Sequence, residues 1–327
     1  MTRSFLRAAA AACATLCALP VWAATTWEAY VYNPVAKQPS VQAVQGLADE
    51  IKDRTHGDLT INVHLGGSLP IKADGITAGV TDGVVQFGDD GFATGTIPVT
   101  GVLRLPMLIQ SEAEMLKAMD AIFPIIKAAY EKRGIEAMAQ YWYPVQVIWG
   151  RKKIEHLSDI KGLKLRVTSV EQGEFIRRFG GVSLTLGAPD VAAALDRGVV
   201  DGALTASSGG GIAWHDLLKY RYAFPTSWVS STYIVNKEAM AALPPESQKI
   251  LRELAVKWAA WSAQEMDRME DELTKQWGKD GMVLSDATPA EIAEATEKMR
   301  PYWDEWTKNH GPEAKEAVAR VRAVVGR

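Results

Sequence analysis

The pattern that most restricts the fold begins at Leu243-Pro244-Pro245 and ends near Gly278. Leu251, Leu254, Trp258, Trp261, Met266, Met269, Leu273 and Trp277 recur there at three-, four- or five-residue steps, which gives one apolar helix face. At ~1.5 Å per residue, about 34 residues make a rod of roughly 50 Å, longer than one small domain needs. Such a helix either lies along a large sheet or ties two lobes together. The 327-residue chain also exceeds the usual single core, so two lobes are expected.

The remaining segments alternate between strand-like and helix-like patterns. Trp27–Tyr32, Leu59–Val63 and Gly83–Gly88 read as strands, and Ser40–Thr55 as a helix burying Val41, Val44, Leu47 and Ile51. A second block has strands at Val145–Trp149, around Arg166, at Val182–Leu186 and at Thr226–Val235, with helices at Val170–Phe179 and Ala188–Leu195. Thr288-Pro289-Ala290-Glu291 is a capping-box start for a final helical region. This order predicts an α/β fold with a largely parallel sheet, whose ligands collect beyond strand C-termini. Asn33, Ser68, Asp89, Asp90 and Phe92 fall in such loops.

The first residues read as an export signal. Arg3 and Arg7 precede an apolar run from Ala8 to Leu19, and Val21-Trp22-Ala23 suits cleavage after residue 23. The run is shorter than the ~20 residues a spanning helix requires. A free periplasmic protein, acting as a monomer, is expected. Both cysteines, Cys13 and Cys17, lie in the segment to be removed, which argues against disulfides, thiolate catalysis and Cys-based zinc sites. The formal charge of −3 becomes −5 without Arg3 and Arg7, and no clustered basic tract offers itself to nucleic acid.

Leu163-Lys164-Leu165-Arg166-Val167 is the most informative short run. Side chains alternate along a strand, so Lys164 and Arg166 share one face. An edge strand with a solvated face explains that pattern. The other reading is an arginine turned inward, which cannot shed its charge and is costly to bury without an anion. Its planar fork matches a carboxylate in two-point contact. Catalytic constellations are not evident. His56, His64, His156, His215 and His310 are scattered without the i, i+4 spacing of a helical zinc site, and no Gly-x-Ser-x-Gly elbow occurs. Ser207-Ser208-Gly209-Gly210-Gly211 offers backbone N–H groups to an anion or is a flexible turn, and Asp89-Asp90 is a solvated turn or a carboxylate pair.

The order of these segments is identifiable. Asp159-Ile160-Lys161-Gly162-Leu163-Lys164-Leu165-Arg166-Val167 resembles a block of TRAP-transporter solute-binding proteins of the DctP type. Val191–Gly202 is similar to that family's helix–turn–strand stretch. Lys219-Tyr220, Asn236, Leu243–Gln248, Gly79–Gly88 and Leu105-Pro106 fit the same order. The resemblance covers essentially the whole chain after residue 23. It implies a two-lobed periplasmic binding protein fold with a ligand cleft between lobes and the long helix tying them together. The implied division is 24–144 with 233–274 as one lobe, and 145–232 with 275–327 as the other. It also implies an organic acid held at Arg166 and handed to TRAP permease membrane subunits, with no enzyme activity and no cofactor or metal required.

By position, Thr168, Thr205, Ser207, Ser208, Trp149 and Trp214 are the expected ligand neighbours on one lobe, and Asn33, Asp89, Asp90 and Phe92 on the other. Thr205 stands where many members of the family carry an asparagine. Some members have a second arginine near the Pro144-Val145 position, and none stands there in this chain. One arginine favours a monocarboxylate, since a dicarboxylate needs neutralising at both ends. Tyr30, Phe92, Trp142, Tyr143, Trp149, Trp214 and Trp228 surround the expected cleft, and such a lining suits a small hydroxy or aromatic acid. A C4-dicarboxylate binder, a receptor for a sensor kinase and a periplasmic enzyme acting on an organic acid are the alternatives.

Overall fold

The structure is a computed structural model and describes residues 24–327; the expected export segment lies outside the described residues. The strands are β1 (Thr25–Val31), β2 (Leu59–His64), β3 (Phe87–Asp90), β4 (Ile135–Gly150), β5 (Lys164–Val167), β6 (Val182–Thr185), β7 (Gly202–Thr205), β8 (Tyr220–Asn236) and β9 (Val283–Asp286). The helices are α1 (Pro39–Arg54), α2 (Ile76–Thr81), α3 (Glu112–Glu131), α4 (Val170–Arg178), α5 (Ala188–Asp196), α6 (Ile212–Trp214), α7 (Lys237–Ala241), α8 (Pro245–Lys279), α9 (Pro289–Asn309) and α10 (Gly311–Val325).

The strands form a continuous mixed sheet in the order β2-β1-β3-β8-β4-β7-β5-β6, with β9 beside β8. Parallel pairs lie on its two flanks and between β8 and β9. The middle pairs, β3–β8, β8–β4 and β4–β7, are antiparallel, so the sheet is less parallel than the alternation of segments predicts. The reason is the length of β4 and β8, 16 and 17 residues, which run through both halves of the molecule.

These two strands also divide the sheet. Ile135–Tyr143 of β4 pairs with the end of β8, whereas Gln146–Gly150 pairs with its beginning. The register slips between Tyr143 and Gln146 and again before Ile148. An earlier shift lies between Ala137 and Ala139; Pro144 sits in the one between Tyr143 and Gln146, where its missing N–H costs no ladder bond. One half therefore contains β2, β1 and β3, and the other contains β7, β5, β6 and β9.

Helix α8 is 35 residues long and joins these halves. Its first part packs on α1, where Gly46 lets the Trp258 ring lie against the backbone and Glu50 accepts from Trp258 Nε1 at 2.9 Å. Its last part reaches the loop after β7, and Trp277 there meets Trp149 edge-on at 5.6 Å and stacks on His215 at 4.5 Å. The predicted capping box forms at α9: Thr288 Oγ1 accepts from the Glu291 N–H, and the Glu291 carboxylate accepts from the Thr288 N–H.

β4 and β8 begin at Ile135 and Tyr220, ahead of the expected Val145 and Thr226, and two further placements differ from expectation. The third strand lies at Phe87–Asp90 instead of Gly83–Gly88, because Gly83 makes a turn at φ +72°. Asp89 and Asp90 therefore stand on the strand and are buried, not in the loop beyond it. The C-terminal segment is not confined to the second half. Buried Ala314, Ala317, Val318 and Val321 make an apolar stripe on α10, which packs against α3 and the 3-10 segment Pro98–Arg104. Helix α9 touches both sides: Trp303 Nε1 donates to Pro106 O at 2.9 Å, while Glu305 pairs with Arg178 of α4 at 2.5 Å.

Candidate functional site

Arg166 lies on β5 between β6 and β7 and is only 3% exposed. The edge-strand reading of its run fails because β6 covers one side of β5 and β7 the other. Its Nε donates to Leu186 O at 2.9 Å. Neither terminal nitrogen donates to any group among the described residues, and no carboxylate pairs with it. Aromatic rings flank it instead: the guanidinium carbon is 5.0 Å from the Trp214 ring centre and 6.0 Å from that of Phe92. Burial pushes its pKa down to about 9, Tyr32 opposes this, and the neighbouring Arg104 charge adds to it. The group stays charged at neutral pH.

Arg166 opens into a cavity of about 40 Å³ at the slip in β4. Tyr32, Asn33 and Phe92 come from the first half. Thr168, Thr205, Gly210 and Trp214 come from the second, and Tyr143 and Gln146 from β4 itself. A wider groove of about 620 Å³ adjoins it, sharing Tyr32 and Phe92 and continuing between Tyr30 and Leu69 on one side and Leu186 and Pro189 on the other. The hollow of about 360 Å³ near Lys132 and Glu313 shares no residue with this site.

The polar groups here are tightly cross-linked. Tyr32 OH lies 2.5 Å from Tyr143 OH, which also accepts from Asn33 Nδ2 at 3.0 Å. Burial, followed by the nearby Asp89, raises the Tyr143 phenol to about 12, so it is a neutral donor and acceptor. Thr168 Oγ1 accepts from Arg104 Nη1 at 2.9 Å and lies 2.7 Å from Gln172 Oε1. Thr205 Oγ1 accepts from the Gly210 N–H at 2.8 Å.

Of the residues expected at the ligand, the structure gathers Asn33, Phe92, Arg166, Thr168, Thr205 and Trp214 around this cavity. Five others lie elsewhere. The Asp89 carboxylate accepts from Tyr141 OH at 2.9 Å and Ser231 Oγ at 2.5 Å, and Asp90 accepts from Thr77 at 2.5 Å and Tyr130 at 3.1 Å. Burial raises these carboxyls to about 7 and about 6. Ser207 and Ser208 do form an anion nest, but its occupant is internal: both N–H groups donate to Glu270 of α8 at 2.8 Å, and Arg221 pairs with the same carboxylate at 3.2 Å. Trp149 is buried in the second half's core and donates to Thr205 O at 3.0 Å. Of the other aromatic residues, Tyr143 lines the cavity and Tyr30 the groove, while Trp228 is buried and donates to Ile109 O at 3.1 Å.

Position along the chain gave no hint of Tyr32, Gln146 or Arg104. Arg104 ends the 3-10 segment, is 2% exposed and spends its Nη atoms on Thr168 and on the carbonyls of Gly91 and Ser230. Its only sequence signal is a cation in the apolar stretch Val102-Leu103-Arg104-Leu105. Among the described residues no group of three or more His, Cys, Asp or Glu side chains is arranged to hold a metal ion. No helix among them is long and apolar enough to cross a membrane.

Two α/β halves joined by paired long strands, with a buried cavity where they meet, define a receptor of the two-lobed solute-binding class. The chain belongs to the DctP family, bacterial extracellular solute-binding protein family 7, whose model matches residues 30–309. It is similar to DctP7, a Bordetella pertussis extracytoplasmic solute receptor binding pyroglutamic acid, with 27% identity, a TM-score of 0.85 and coverage of 91% of this chain and 100% of that one. A TRAP periplasmic solute-binding protein from Desulfovibrio salexigens with bound orotic acid shares the fold at 19% identity and a TM-score of 0.84, covering 92% and 99% of the two chains. A solute-binding protein of Albidiferax ferrireducens is 24% identical over 169 residues, 50% of this chain and 49% of that protein. The chain spans less than half the length of the curated relatives it matches. Membership places it among TRAP solute receptors, not enzymes.

Proposed function

We propose that this protein captures a small organic acid in the periplasm through Arg166 and delivers it to a TRAP membrane permease. The observation that carries the reading is a buried guanidinium whose two terminal nitrogens meet no acceptor among the described residues. A buried charge of that kind is costly alone and is relieved by a two-point carboxylate. The fold-level relatives that hold pyroglutamate and orotate support the ligand class.

A monocarboxylate fits better than a dicarboxylate. Arg104 is the second cation near Arg166, yet its terminal N–H groups are occupied by Thr168 and two backbone carbonyls. Among the described residues the buried Nε of Arg104 also lacks a partner, but Arg104 does not line the cavity, whereas Arg166 does and leaves both terminal nitrogens unpaired there. Phe92, Tyr143 and Trp214 leave flat apolar surface for the body of the ligand. We place the lobe boundary at the slip between Tyr143 and Gln146, where the two long strands flex as the halves close. The closed form then reports occupancy to the permease.

Native mass spectrometry of the protein purified from its own host tests this reading. A co-purified carboxylic acid of low mass is the expected result. A neutral or cationic solute in the cavity would refute it.

A further inference from the structure

We infer that the solute carries, beside its carboxylate, an N–H or O–H donor addressed to Thr168. The inference rests on the carboxylate reading of Arg166 and deepens it. Thr168 follows β5 two residues after Arg166, so both side chains serve the same face and line the same cavity.

The direction of each hydrogen bond at Thr168 is fixed. Arg104 is only a donor, so Thr168 Oγ1 accepts from it at 2.9 Å. Gln172 Oε1 takes the Thr168 backbone N–H at 2.8 Å, which identifies that atom as the amide oxygen, and Gln172 Nε2 is turned to Ser227 Oγ at 3.0 Å. The Thr168 hydroxyl proton therefore goes to Gln172 Oε1, at 2.7 Å. One lone pair remains on Oγ1. It cannot donate to a carboxylate and repels one.

Thr205 differs. Its Oγ1 accepts from the Gly210 N–H, and its own proton has only the Ala206 carbonyl, at 3.3 Å, as an alternative to the cavity. The cavity thus holds donors at Arg166 and Thr205 and an acceptor at Thr168. A carboxylate seated on the donors leaves Thr168 to an N–H or O–H on the same molecule. A partner that fails to supply it faces an acceptor against an acceptor, which binding sites reject strongly. Arg104 and Gln172 are positioning residues in this scheme, since they fix the hydroxyl without touching the ligand.

Matched acids test it by calorimetric titration: L-pyroglutamate against 5-oxotetrahydrofuran-2-carboxylate, lactate against propanoate, and mandelate against phenylacetate. Each pair loses the donor: a ring oxygen replaces the pyroglutamate N–H, and hydrogen replaces the hydroxyl in the other two. The expected result is at least tenfold tighter binding of the donor-bearing member in every pair that binds. Thr168→Val should reduce that ratio to about one, and Thr168→Ser should preserve it. A purely structural role would weaken both members together. Equal affinities within pairs in the native protein, or an unchanged ratio in a folded Thr168→Val variant, overturn the inference. Arg166→Ala separates the two claims: if it abolishes binding of both members while the native ratio is one, the carboxylate reading stands and this inference falls. If no acid of any pair binds the native protein, both fall.

Discussion

Gln38 donates from Nε2 to the backbone carbonyl of Ser208 at 2.7 Å, joining the start of α1 to the loop after β7. Gln38 is buried and lies on the half that carries Asn33, while Ser208 belongs to the half that carries Arg166. The bond therefore crosses between the halves, so the opening proposed above would break it. Neither residue lines the cavity.

Gln38→Ala should shift the equilibrium toward the open form. A buried carbonyl loses its partner, at a cost of about 1–3 kcal/mol, and the closed population falls with it. Stopped-flow measurement should show ligand release faster by roughly tenfold, with association little changed. Unchanged release would mean the bond does not restrain opening.

Asp89 predicts a pH dependence of stability. Its folded pKa is raised to about 7 by burial, above the ordinary 3.8, so the folded state binds the proton more tightly. Its stabilising contribution is complete below about pH 4 and is lost as pH rises toward and through 7. Asp90, raised to about 6, acts in the same direction. Thermal melts of native protein and Asp89→Asn between pH 4 and 8 should therefore diverge, with the variant losing less stability on the alkaline side. Parallel curves would show that Asp89 does not titrate in this range.

Gly210→Ala tests the platform beneath Arg166. A Cβ at Gly210 would stand 2.2 Å from the Trp214 ring, and Trp214 is packed in the core of the second half. Overpacking of this kind costs about 1–3 kcal/mol. It also tilts the ring on which the guanidinium rests, so affinity should fall by more than tenfold while the fold persists at 25 °C. Intact affinity in a folded variant would show that Trp214 does not fix Arg166.

The sequence revealed most about periodic features. The apolar stripe showed α8, Leu243-Pro244-Pro245 and Gly278 marked its ends to within two residues, and the capping box at Thr288 located the start of α9. Strand periodicity left Arg166 between a solvated edge and an inward cation, and the family resemblance decided for the ligand; Thr168 was expected from its position alone. Arg104 was not, since a 3-10 segment has no apolar period to make its burial visible. The occupant of the Ser207–Gly211 nest was invisible as well: Glu270 lies 62 residues from Ser208 and reads as one more charge on a solvated helix face. Asp89 and Asp90 were misplaced by a shift of a few residues, which turns a loop pair into a buried strand pair.

Arg166 carries the central claim, and calorimetric titration of its variants tests it most directly. With the acid that binds native protein most tightly, Arg166→Ala should show no measurable heat of binding and a native circular dichroism spectrum. Arg166→Lys should bind at least tenfold more weakly than native protein, because an ammonium cannot reproduce the two-point fork. Near-native affinity in a folded Arg166→Ala variant would contradict the account.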